Sequence, residues 1–149
     1  MPAFSPEREI GFALHDVARM LRTFADQRAR DLQMTRAQWA VLVKLQRCEG
    51  VNQAVLADAL DLAPITLARL VDKLNASGLV ERRDDANDRR ANRLYLTEKA
   101  GPLLERLGAL GEDLMGRALA GLDAQTLATL RQGLERIKHN LKTELHAGE

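Results

Sequence analysis

Residues 84–97 read DDANDRRANRLYLT: a crowd of aspartates and arginines that turns into an alternating run, RLYLT. Arginine presents a planar fork of donors suited to phosphate and guanine. Asp88 stands two residues before Arg90. A carboxylate there can hold a guanidinium in a fixed direction through paired hydrogen bonds. An aimed arginine on a narrow hairpin fits a minor groove, whose negative potential attracts it. A second group lies upstream in Pro64, Ile65, Thr66, Arg69 and Lys73. Arginine there suits guanine or phosphate, and threonine can reach a phosphate or a thymine methyl. Together with Asp88, Arg89 and Arg90 these residues form the candidate DNA-contacting set. The competing reading of DDANDRR is a solvated hairpin tip with a local salt bridge.

The elements that must carry these residues are mostly helical by periodicity. Ser5-Pro6 opens a long first helix, an N-cap hydroxyl followed by proline in the first turn. Ile10, Leu14, Val17, Leu21 and Phe24 mark its apolar face. Thr35 and Gln38 form a capping box at the start of a second helix, with Trp39, Leu42, Val43 and Leu45 inward and Gly50 as its stop. Asn52 caps a third, carrying Val55, Leu56 and Leu60. Pro64 begins a fourth, with Leu67, Leu70, Val71 and Leu74 inward and Gly78 at its end. LVERR and NRLYLT then read as a two-stranded hairpin around DDANDR. Thr97 caps a fifth helix and Asp123 a sixth, whose apolar positions are Leu127, Leu130, Leu134, Ile137, Leu141 and Leu145. Gly101, Gly108, Gly111 and Gly116 on the fifth leave two readings open: a weak or bent helix, or bare backbone that lets another helix come close.

Helix, short turn, helix and charged hairpin make a helix-turn-helix with a wing. The fourth helix is then the recognition helix, its N-terminal end meeting base edges. The fold class expected is mainly α with a small β-hairpin wing.

Composition sets the frame. The 149 residues favour one domain, 1–149, and at 46% hydrophobic and 29% charged the chain reads as globular. Aromatics make up 3%, which argues against stacking on single strands. Net charge is +1, so recognition of nucleic acid rests on local clustering. Residues 64–97 hold seven bases and five acids. A single cysteine, Cys48, excludes an internal disulfide and fits a reducing compartment. The acidic start MPAFSPEREI is unlike a signal peptide, and no apolar run approaches the ~18 residues of a membrane span. A cytoplasmic location is expected, with no membrane partner.

Asp88-Arg89-Arg90, then ANRLY, then Leu96-Thr97 is the pattern D-x-R, five residues, L-T. With the preceding LARLVDKLNASGLVERR it resembles the multiple-antibiotic-resistance regulator (MarR) family of winged helix-turn-helix repressors. The resemblance extends over the whole chain in element order, and its specific motif lies in residues 64–97. It implies a homodimer on double-stranded DNA, with residues 35–97 as the DNA-binding lobe and 5–32 and 98–146 as the dimerisation region. It also implies that small aromatic acids bind between the dimer helices and the DNA-binding lobe. His15, Arg19 and Trp39 are the candidates here: His15 and Arg19 share a helix face and can meet a carboxylate, and Trp39 can supply a wall. A solvated Arg-His pair and a core tryptophan are the competing reading.

No cofactor is expected. No HxxxH or CxxC spacing appears, so no metal site is expected either. Relatives that sense peroxides place the cysteine in the first helix, where this chain has none, so Cys48 reads as an ordinary thiol. No Gly-rich phosphate loop or G-x-S-x-G elbow supports an enzyme. The rival to the regulator reading is a helical protein-interaction adaptor that never touches DNA.

Overall fold

The computed structural model of the chain describes residues 4–148, the side chain of Arg89 excepted. It is mainly helical with one small antiparallel sheet. The elements run α1 (Pro6–Arg30), α2 (Arg36–Arg47), β1 (Val51–Asn52), α3 (Gln53–Ala59), α4 (Pro64–Ala76), β2 (Val80–Asp85), β3 (Asp88–Leu96), α5 (Ala100–Ala118) and α6 (Ala124–Ala147). Two compact units divide the chain, Met1–Leu114 and Met115–Glu149.

Local capping sets most helix starts. The Ser5 hydroxyl accepts from the Arg8 N–H, and Pro6 opens α1. Thr35 and Gln38 close both halves of the capping box, at 3.1 and 3.0 Å. Asn52 accepts from the Ala54 N–H at 2.7 Å. Asp123 accepts from the Thr126 N–H at 2.7 Å, and the bonding to Thr126 holds its carboxyl below the ordinary value. α4 ends in a Schellman turn: Gly78 has φ +74, its N–H donates to Asn75 O, and the Leu79 N–H donates to Leu74 O.

The core of the first unit is built from α2, α3, α4, the sheet and the first half of α5. Val41, Leu42 and Leu45 meet Leu56, Leu67, Val71, Leu74, Leu94 and Leu107 in one buried cluster. Burying Leu67, Val71 and Leu74 turns the opposite face of α4 to solvent. The α6 unit differs. No residue of α6 is buried, and Leu130, Leu134, Leu141 and Leu145 are 41–74% exposed.

Three expectations need correction. The sheet has three strands, in the order β1-β3-β2, where the sequence suggested a hairpin of two. Val51 pairs with Leu94 and Asn52 with Arg93. β1 is two residues long, too short to show alternation, and its reason to exist is its partner strand. Gly50 allows that pairing: φ is +81, and a Cβ there would come within 3.2 Å of the Tyr95 hydroxyl. Second, the hairpin arms run almost to the tip, leaving Ala86 and Asn87 between strands and a bulge at Asp84/Asp85. Third, Thr97 does not cap α5. Its hydroxyl donates to Gly78 O at 2.5 Å, tying the end of β3 to the end of α4, and the helix starts at Ala100. On α3 the inner face is filled by Leu56 and Ala57, and Val55 is 56% exposed. Among the described residues, nothing lies within 4 Å of a Cβ at Gly101, Gly108 or Gly116, and Gly111 meets only the Trp39 ring at 3.9 Å.

Candidate DNA interface

Proline opens α4, and its N-cap, Ala63, has no side chain to take the free N–H groups. Pro64, Ile65, Thr66, Arg69 and Lys73 are all exposed. Arg69 and Lys73 make no side-chain hydrogen bond or ion pair among the described residues. The same holds for Arg90, near the tip of β3. Pro64 and Arg90 line one cleft of about 320 Å³ with Asn52, Gln53, Ala54, Ala91 and Asn92. The starts of α3 and α4 and the arm of the wing therefore open onto the same space.

The other described arginines of the hairpin are engaged. Arg82 leans off β2 toward both helices. It donates to Asp72 Oδ1 at 2.6 Å, to Gln53 Oε1 at 3.3 Å and to the Ala68 carbonyl at 3.3 Å. Arg83 pairs with Glu81 and lies 3.9 Å over the Tyr95 ring. Arg93 donates to Asp85 Oδ2 at 3.1 Å and to Gly50 O at 2.9 Å. Asp85 turns its other oxygen to the Asn87 N–H at 2.9 Å, and its side chain is 10% exposed. Asp85 thus holds the tip of the hairpin, and Arg93 fastens it to Gly50, just before β1.

Asp88 does not hold the Arg90 guanidinium as expected; it bonds to the backbone instead. Its Oδ1 accepts from the backbone N–H of Arg90 at 2.9 Å. An aspartate reaches the N–H two residues on more readily than a mobile guanidinium. The backbone at Arg90 is held while its side chain stays free. The Arg89 side chain lies outside the described residues.

Sequence reasoning missed the structural roles of Arg82, Asp85 and Arg93. Arg82 had a signal. Alternation from buried Val80 puts residue 82 on the inner face, and a cation there requires partners. The Asp85–Arg93 pair had none, because it depends on hairpin register across a bulge.

The ligand candidates do not form a joined cluster. Arg19 pairs with Asp16 at 3.1 Å in the open, His15 is exposed, and Trp39 packs half-buried against the core. The Cys48 thiol, half-buried, donates to the Lys44 carbonyl at 3.1 Å. Among the described residues no group of three or more His, Cys, Asp or Glu is arranged to hold a metal. No described helix is long and apolar enough to cross a membrane.

Residues 34–91 match the MarR family. The transcriptional regulator PA3341 is 36% identical over 90% of this chain and 98% of its own, with a TM-score of 0.81. The chain belongs to the MarR family. A MarR transcriptional regulator from Methanosarcina mazei Go1 superposes with a TM-score of 0.84 at 26% identity, covering 91% of this chain and 98% of that one. A mutant MarR from E. coli, complexed with operator DNA, is 26% identical over 92% of this chain and 99% of its own, with a TM-score of 0.77. As a MarR-family transcriptional regulator, the chain has its exposed α4 face and its wing on the family-matched segment, apart from the β3 residues beyond 91.

Proposed function

We propose that this regulator is a cytoplasmic homodimer that represses from a pseudo-palindromic DNA operator and is released by a small ligand. In this reading residues 35–97 read the duplex, and 5–32 with 98–146 join the two copies. Pro64, Ile65, Thr66, Arg69 and Lys73 enter the major groove. Asp88, Arg89 and Arg90 belong to the wing, and Arg90 reaches the minor groove. His15, Arg19 and Trp39 remain the candidates for a ligand with a carboxylate.

One observation carries the reading: how the cations are divided. Arg82, Arg83 and Arg93 are engaged within the lobe, whereas exposed Arg69, Lys73 and Arg90 have no side-chain partner among the described residues. Such cations can neutralise phosphates and release the counterions condensed on the DNA without breaking an internal pair. The relative bound to operator DNA adds to this. The exposed leucines of α6, with Ile10 and Val17 of α1 each 54% exposed, favour a second copy as their cover.

DNA retention measured against salt tests the reading and separates it from a protein-interaction adaptor. Retention should fall steeply with salt, as counterion release requires. Arg69→Ala should weaken binding about tenfold on a selected operator and less on random duplex, because a base contact discriminates and a phosphate contact does not. Equal loss on both would assign Arg69 to phosphate.

The wing has its own test. Arg90→Ala should lose affinity in proportion to the A·T content under the wing, with a penalty that shrinks at high salt. Asp88 needs only one acceptor oxygen, and asparagine supplies one. Asp88→Asn should therefore bind as well as the wild type or better, since a negative charge near phosphate is gone. Asp88→Ala should bind less well. Equal affinities for Asp88→Asn and Asp88→Ala would show that the bond to the Arg90 N–H has no part in recognition.

A further inference from the structure

Large hydrophobic side chains that stand in water need an explanation. Most of those in this chain lie on α1 and α6 or at the end of α5, where a second copy covers them in the proposed dimer. Within residues 35–97 only Val55 and Ile65 belong to this group. Ile65 is the more exposed, at 63%, and sits in the first turn of α4. The fold does not need it there. Leu67, Val71 and Leu74 already fill the buried face, and isoleucine is a poorer helix former than alanine.

Its neighbours show what it faces. Ile65, Arg69 and Lys73 recur every four residues and so form one stripe along the exposed face of α4. The two cations on that stripe have no partner among the described residues. An apolar side chain at the head of a partnerless basic stripe is suited to a surface that is both polyanionic and locally apolar. Duplex DNA offers one such feature in the major groove: the C5-methyl group of thymine.

Resting on the DNA-binding reading above, we infer that Ile65 is a specificity-determining residue, reading the methyl group of a thymine in each half-site. Four helical residues rise about 6 Å. That is about two base steps at 3.4 Å each. The thymine therefore lies within about two base pairs of the position that Arg69 contacts. Arg69 supplies polar discrimination and Ile65 supplies the apolar contact beside it. The 5-methyl group of methylated cytosine presents the same chemistry at the same place in the groove.

The test uses the full-length protein and a duplex selected from a random pool. Each thymine of one half-site is replaced in turn by deoxyuridine, which removes the methyl and leaves the pairing edge unchanged. Wild-type affinity should fall about fourfold at one position, the equivalent of about one buried methylene. At that position the penalty should nearly vanish for Ile65→Ala, while the salt dependence of this variant stays that of the wild type. The deoxyuridine series on wild-type protein needs no folded variant, and thermal unfolding of Ile65→Ala checks that its fold is intact. If no thymine methyl matters, or if Ile65→Ala keeps the full deoxyuridine penalty, Ile65 is not the reader. Such a result leaves salt-dependent retention of the operator standing, so the inference fails apart from the DNA-binding reading. Failure of the wild type to retain any duplex would remove both.

Discussion

Leu141→Glu should turn a dimeric protein into monomers. Leu141 is 58% exposed in the single chain, so in a monomer a glutamate would sit where water already does. Exposed substitutions of that kind move stability by about 0.5 kcal/mol or less. In a two-fold interface the same change acts twice, once in each copy. Burying an unpaired carboxylate costs at least about 2 kcal/mol. Doubled, that weakens dimerisation roughly a thousandfold. Light scattering or sedimentation at a concentration where the wild type is dimeric reads the outcome. Helical content should persist, and affinity for a two-half-site operator should collapse with the dimer. A Leu141→Glu protein that stays dimeric would remove this face of α6 from the interface.

That face was legible in the sequence because its signal is local. Leu127, Leu130, Leu134, Ile137, Leu141 and Leu145 follow the helical period whatever covers them. The same holds for the caps. Ser5, Thr35 with Gln38, Asn52 and Asp123 each act on an N–H within three residues, so spacing alone reveals them. Failures came where the partner is distant. Thr97 has the residue type of a cap, yet its hydroxyl goes to Gly78, nineteen residues back and adjacent only once the hairpin has formed. β1 exists because β3 passes beside it. In the candidate site, residue types and positions could be read, including the exposed side of α4. The pairing among charges could not. Seven bases and five acids in residues 64–97 allow many partnerships; the register of the hairpin selects Arg93 for Asp85, and the packing of β2 against α4 selects Arg82 for Asp72.

Arg82→Met should lower operator affinity on the order of a hundredfold while barely changing stability. The guanidinium joins three acceptors on two helices: Gln53 on α3, and Ala68 and Asp72 on α4. Among the described residues it is the one side chain of β2 with hydrogen bonds to both helices of the helix-turn-helix. The Asp72 partner is 65% exposed, so the ion pair contributes little to folding. Methionine keeps the apolar stem. The expected cost is about 1 kcal/mol, which lowers Tm by about 2–4 °C in a protein of this size. Binding is more sensitive. In the proposed complex a small change in angle between α4 and the wing would take Arg69 and Arg90 out of their grooves together, and each good contact is worth about 1–3 kcal/mol. A direct phosphate contact by Arg82 is the rival explanation, and salt separates the two. Loss of a phosphate contact makes the salt dependence shallower by about one unit of slope and weakens random duplex equally. Loss of a strut leaves the slope nearly unchanged and affects the operator most. Gln53→Ala supplies the second arm, since it removes one of the three acceptors without removing a charge. It should give a smaller defect of the same kind. Wild-type affinity in Arg82→Met, with the slope unaltered, would show that α4 and the wing keep their angle without it.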